Sequence, residues 1–177
     1  MTIIIDTPKR HIMKKVLFAV LLLAFPFYCH AQQWYIEEQP TDELKGTKGK
    51  VNITYYLTSY DYFTCVKGEW DSFTIRTMQI FDSQLMGFDG NSFNWCCDVK
   101  IGLYDSNSNL IKTYSNVRLK VSEKDDRVIS LRNSEIAREV LYHLFNTNGY
   151  IRILIPHAYS EEDYEMRIPH FSYSEKK

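Results

Sequence analysis

Apolar and polar side chains alternate along most of this chain. Val51, Ile53, Tyr55 and Leu57 alternate with Asn52, Thr54, Tyr56 and Thr58, and Val99, Ile101 and Leu103 with Lys100, Gly102 and Tyr104. The same period recurs at Val117, Leu119 and Val121, and at Ile151, Ile153 and Ile155. Successive side chains of a strand point to opposite faces, so a period of two predicts strands with one face on a core. The β-branched and aromatic residues in these runs fit that assignment. From Phe73 to Phe81 the phase changes: Phe73 and Ile75 fit one face, Met78 and Ile80 the other. A bulge near Thr77, or burial on both faces, is expected there.

Turn residues separate the runs. Gly46 to Gly49 precedes the strand at Val51, and Asp89-Gly90-Asn91 precedes one at Phe93. Asp105 to Asn109 reads as a hairpin loop, and Lys124-Asp125-Asp126 as another polar connection. One segment has helical spacing. From Ser134 to Asn146, residues Ile136, Val140, Leu141 and Leu144 make a single apolar stripe. Asn133 is the expected N-cap, Glu135 suits the first turn, and Asn148-Gly149 is an expected left-handed stop. His143 lies beside the stripe and is expected to be partly exposed.

About eight short strands and one late helix predict a mainly β fold. The expected architecture is an antiparallel β-sandwich, jelly-roll-like topology being one form of it, with the helix packed on it. An open sheet against the helix is the alternative. Strict βαβ alternation is absent, which argues against a doubly wound sheet.

The segment Met13 to Ala31 departs from this pattern. Lys14-Lys15 leads an apolar run from Val16 to Phe25, followed by Pro26 to Ala31. A charged start, an apolar stretch of about ten residues and a small residue at the end describe a cleaved export signal. Spanning a bilayer needs roughly 20 apolar residues, so an uncleaved anchor fits less well. Residues 1–12, upstream of a second methionine, read as a mis-assigned start or an extended leader. Cys29 as a lipid-bearing cysteine is a poor match, because Pro26-Phe27-Tyr28 before it are not small. The expected organisation is thus a signal over 1–31 and a single β-sandwich domain over 32–177. The expected address is periplasm, cell surface or medium, with no transmembrane helix after cleavage.

Within that leader Lys9, Arg10, Lys14 and Lys15 oppose Asp6, so residues 32–177 carry −4 of the chain's net −1. A mildly acidic domain argues against nucleic acid or an anionic membrane as partner. Cys65, Cys96 and Cys97 remain in it. Cys65 bonded to Cys96 or Cys97 is one expectation, and buried free thiols are the other.

Candidate chemistry is sparse. His157 and His170 flank Glu161, Glu162 and Asp163, but the spacing matches no metal motif, and a solvated acidic loop is expected. Asp105-Ser106-Asn107-Ser108-Asn109 begins like a calcium loop, yet Leu110 and Asn116 stand where glycine and glutamate are required. Nucleophile-elbow, zincin, phosphate-loop and dinucleotide motifs are absent. No catalytic residue, metal site or cofactor is assigned. Carboxylate pairs distant in sequence keep a small hydrolase as the last alternative.

Aromatic supply is the remaining signal. Tyr55, Tyr56, Tyr60, Tyr62 and Phe63 fall within nine residues, and Trp70 follows. Sugar rings stack on aromatic faces, so Tyr60, Tyr62 and Trp70, near strand connections, are the expected ligand contacts. Tyr55 and Phe63 are the expected core residues of this group. Trp95 shares the phase of Cys97, Val99 and Ile101 and is also expected in the core. The sequence therefore points to an exported, non-enzymatic binding domain of the bacterial cell envelope or surface, its partner a glycan or an envelope protein. A structural or assembly component of a surface complex is the alternative. Oligomeric state is left open.

Overall fold

The structure, a computed structural model, describes residues 32–41, 46, 48–89 and 92–172. The expected export signal lies outside the described residues. From Gln32 onward the chain makes one compact unit. Its strands are β1 (Gln33–Gln39), β2 (Lys50–Tyr56), β3 (Tyr62–Val66), β4 (Phe73–Arg76), β5 (Gln84–Asp89), β6 (Ser92–Tyr104), β7 (Leu110–Val121), β8 (Val128–Leu131), β9 (Tyr150–Ile155) and β10 (Tyr164–Pro169). One helix, α1 (Glu135–Asn146), lies between β8 and β9.

All pairings are antiparallel, in the order β1-β2-β3-β4-β8-β7-β6-β9-β10. The sheet does not close: β1 and β10 do not pair with each other. It is β-sandwich-like, because inner residues of its two halves belong to one buried cluster. Ile53, Phe63 and Ile75 from β2–β4 share that cluster with Ile101, Ile153 and Met166 from β6, β9 and β10. The strands named from alternation lie in β2, β6, β7 and β9, where the alternating apolar positions are buried, except Val51 and Leu57 at and beyond the ends of β2, which are half-buried.

Strand β6 organises the topology. β7 pairs with one edge of it, from Cys96 to Tyr104. The other edge is shared: β5 takes Ser92–Cys96 and β9 takes Lys100–Tyr104. The β6–β7 register slips between Val99 and Ile101, where β7 advances from Val117 to Tyr114. Asn116, at φ 57°, sits in the extra residue count, a left-handed position that asparagine tolerates.

Several local expectations are corrected. The phase change after Ile75 is the end of a strand, not a bulge: β4 stops at Arg76, and Met78 and Ile80 are exposed in the connection that follows. Ser134 caps α1 through its extended backbone, without a side-chain bond, and Asn133 precedes it at φ 49°. His143 is buried rather than half-exposed. Its Nε2 lies 2.9 Å from the Tyr104 carbonyl, to which it donates, and its Nδ1 lies 3.3 Å from Thr147 Oγ1. The helix ends without a left-handed residue: Thr147 is extended and its hydroxyl donates to the His143 carbonyl at 2.8 Å. Gly149 is needed for proximity instead. A Cβ there would stand 2.1 Å from the Tyr104 carbonyl oxygen and 2.5 Å from His143 Nε2.

The first and last strands are joined by side chains. Trp34 of β1 donates from Nε1 to the His170 carbonyl at 3.0 Å, just after β10. Its ring meets Phe171 at 5.4 Å, Phe145 of α1 at 6.2 Å and Phe63 of β3 at 6.4 Å. The Phe171 amide donates to the Leu144 carbonyl, so the segment after β10 also holds the end of α1.

Gly149→Ala is expected to destabilise the fold by about 3 kcal/mol, the scale of severe overpacking, because backbone rather than a flexible side chain stands in the way. Urea unfolding of the variant against the parent checks this. A midpoint shift under a few tenths of a kcal/mol would refute the proximity argument.

Candidate functional site

The three residues expected to contact ligand do not meet. Tyr62 opens β3, Tyr60 lies in the turn before it, and Trp70 lies beyond its end. Trp70 is exposed, with its ring edge on Phe145 at 5.1 Å. Tyr62 is half-buried and meets Tyr56 at 5.6 Å with the planes 62° apart. Tyr60 projects into solvent from the turn. Coplanar faces for one sugar chain are not formed. Tyr55 and Phe63 are in the core, as expected.

A concavity lies elsewhere. A cleft of about 980 Å³ opens between the β5–β6 hairpin and the β7–β8 connection. Its apolar wall is Ile80, Phe93 and Trp95, exposed by 59%, 57% and 46%. Trp95 thus corrects its expected place in the core. It keeps the phase of Cys97 and Val99, but β6 runs on past the packed region. Thirteen residues span about 43 Å at strand rise, roughly twice an ordinary strand, so the first part of β6 overhangs. Leu85 of β5 lies directly opposite Trp95 and is exposed too.

The remaining wall is held by polar groups. Buried Asp61 accepts from the Met78 amide at 2.7 Å, and from Thr58 Oγ1 and the Tyr164 hydroxyl, each at 3.1 Å. Burial first, then the Asp61 carboxylate, pushes the Tyr164 hydroxyl up to about 12. The Thr77 amide donates to the Arg127 carbonyl, and the Ala158 amide to that of Ile80. These bonds fix the segment that presents Ile80. Across from it, the Asp125 carboxylate accepts from the Arg127 amide and Nε, both at 3.1 Å, which holds it below the ordinary carboxylate range. Arg76 reaches the same carboxylate at 3.4 Å. The rim is therefore a charged loop with Glu123, Lys124, Asp126 and Arg127 facing an aromatic wall.

The other candidates are occupied structurally. Asp105 Oδ2 accepts from the Asn109 side-chain amide at 2.9 Å and Oδ1 from the Asn109 and Asn107 backbone amides at 2.8 and 2.9 Å; the side-chain bond first, then the backbone bonds, lower its pKa. It is an Asx-type turn. His157 follows the end of β9 and His170 the end of β10, and His157 Nδ1 accepts from the Tyr159 amide. Among the described residues no three His, Cys, Asp or Glu side chains gather as a metal site. No helix of the described residues is long and apolar enough to cross a membrane. Cys65, Cys96 and Cys97 are each buried as free thiols. Burial pushes Cys65 and Cys97 up to about 12, with Asp98 adding to the effect at Cys97.

No protein family, curated protein or solved structure matches the chain.

The thiol environments have a measurable consequence. A thiol whose folded pKa is raised stabilises the fold fully below its unfolded pKa, and that stability is lost as pH rises toward the folded value. Iodoacetamide at pH 8 is expected to leave Cys65 and Cys97 unmodified in the native protein and to alkylate both in denaturant. Stability should fall from about pH 9 toward pH 12, Tyr164 contributing at the upper end. Rapid native alkylation of either thiol would refute the assignment.

Proposed function

We propose that this protein is a non-enzymatic binding domain exported to the bacterial cell envelope or surface, and that it takes a glycan in the cleft beside the β5–β6 hairpin. The leader at Met13–Ala31 supports export. The observation that carries the binding reading is the solvent-exposed aromatic wall. Phe93 and Trp95, two residues apart on one face of β6, stand exposed in a cleft rimmed by charged residues. An aromatic face meets the apolar C–H face of a sugar ring, while carboxylates and cations on the rim suit its hydroxyl edge.

An assembly role is the second reading. It is favoured by β5, which among the described residues pairs only with β6 and leaves Leu85 and Met86 exposed.

Trp95→Ala decides between them. On a glycan array, the parent protein is expected to bind and the variant to bind about tenfold more weakly or worse, the equivalent of ~1.4 kcal/mol. Its folding stability should fall by no more than about 1 kcal/mol, because nearly half of Trp95 is already exposed. Unchanged glycan binding in the variant would remove the cleft as the site. Concentration-dependent self-association in sedimentation, abolished by the same substitution, would support assembly instead.

A further inference from the structure

In an antiparallel sheet, residues directly opposite one another share a face. One row of such residues crosses the outer face without a break. Thr54 lies opposite Thr64, Thr64 opposite Thr74, Thr74 opposite Ser130, and Ser130 opposite Lys120. Four hydroxyls on four adjacent strands thus lead to a cation on a fifth. Thr54 and Thr64 bond each other at 2.9 Å. The hydroxyls of Thr74 and Ser130 have no hydrogen-bond partner among the described residues.

From Thr64 onward the row lines a groove, while Thr54 is buried beyond its end. Two depressions of about 380 and 670 Å³ adjoin at Thr74 and Arg132, which line both. Five cations border it: Lys50, Arg118, Lys120, Lys124 and Arg132. Three have carboxylate partners. Glu69 holds Lys50 at 3.3 Å, Asp98 holds Arg118 at 2.9 Å, and Glu123 holds Lys120 at 3.5 Å. Arg132 and Lys124 have none among the described residues. A local excess of positive charge therefore stands on a domain whose net charge is −4.

We propose that this groove binds an acidic polysaccharide, a hydroxyl-rich chain bearing carboxylates or sulfates at intervals. The open hydroxyls of Thr74 and Ser130 and the Asn52 amide exchange hydrogen bonds with sugar hydroxyls. The Arg132 guanidinium, a planar fork, suits a carboxylate or sulfate bidentately, and Lys120 and Lys124 supply point charges. The spacing of charge favours a polysaccharide over duplex DNA. Duplex DNA carries a negative charge about every 1.7 Å, and the acidic remainder of the domain repels such a dense polyanion. This groove is separate from the aromatic cleft, although Ser122, Glu123 and Lys124 border both, and it stands without the reading of Trp95.

Affinity gel electrophoresis of the purified protein tests the proposal, with polygalacturonate, dextran sulfate or neutral dextran cast in the gel. At least one acidic polymer is expected to retard the parent at near-physiological salt, and neutral dextran to leave the groove idle. The double variant Lys120→Gln/Arg132→Gln should weaken the acidic interaction about fivefold, as two exposed charges suggest. Both side chains are exposed, so circular dichroism and the unfolding midpoint should match the parent. Trp95→Ala should leave this retardation unchanged, which separates failure of the groove from failure of the cleft. Absence of retardation by both acidic polymers, equal retardation of the double variant, loss in Trp95→Ala, or equally strong retention by single-stranded DNA would each overturn it.

Discussion

An antiparallel ladder that stops short of closure leaves its outermost strands to be joined by something other than backbone. In this protein the joint is Trp34. Its indole donates to the carbonyl just after β10, while its ring touches aromatic residues from β3, α1 and the segment after β10. The fold depends on that contact because β1 has only β2 beside it. Without the ring, the inner face between the two halves would open at one side, and Phe63 and Phe145 would lose a neighbour. Tyr164 to Asp61 is a second bond across the same divide, from β10 to the turn before β3. Side-chain closure of this kind needs no register between the end strands, which explains how strands of different length and tilt bound one core.

Much of this architecture was legible in the sequence, and the parts that were not have specific physical reasons. Alternation revealed β2, β9 and the inner part of β6 because a buried face forces a period of two. It failed for β1, whose other positions are mostly exposed, so that Trp34 stood alone without a pattern around it. It failed at Trp95 for the opposite reason. Phase continues along a strand whether or not anything packs on it, and only the unusual length of β6 hinted at an overhang. Asn148-Gly149 suggested a left-handed stop from local chemistry alone. The actual demand on Gly149 comes from Tyr104, distant in sequence, and no local rule contains it. The candidate site was poorly legible too: Tyr60 and Trp70 looked close in sequence, but a strand separates them.

The polar groups divide between those that build the fold and those left open. Asp61, Asp105 and Asp125 have their oxygens engaged by amides and neighbouring side chains, so their chemistry is architectural. The Arg152 and Glu165 pair ties β9 to β10 on the outer face, beneath the stacked rings of Tyr104 and Tyr150 at 4.9 Å. What remains uncommitted lies on either side of the β7–β8 connection: an aromatic cleft on the inner phase of β6 and a hydroxyl-lined groove on the outer face. A single loop, Ser122 to Lys124, borders both.

Because β5 shares an edge of β6 with β9 rather than lying between two strands, it can detach without breaking the ladder through β7, β6 and β9. A strand held by one neighbour can open at a free energy below that of global unfolding. The core, built from other strands, would not register its loss. The space beside Trp95 would, because Leu85 of β5 stands directly opposite that ring.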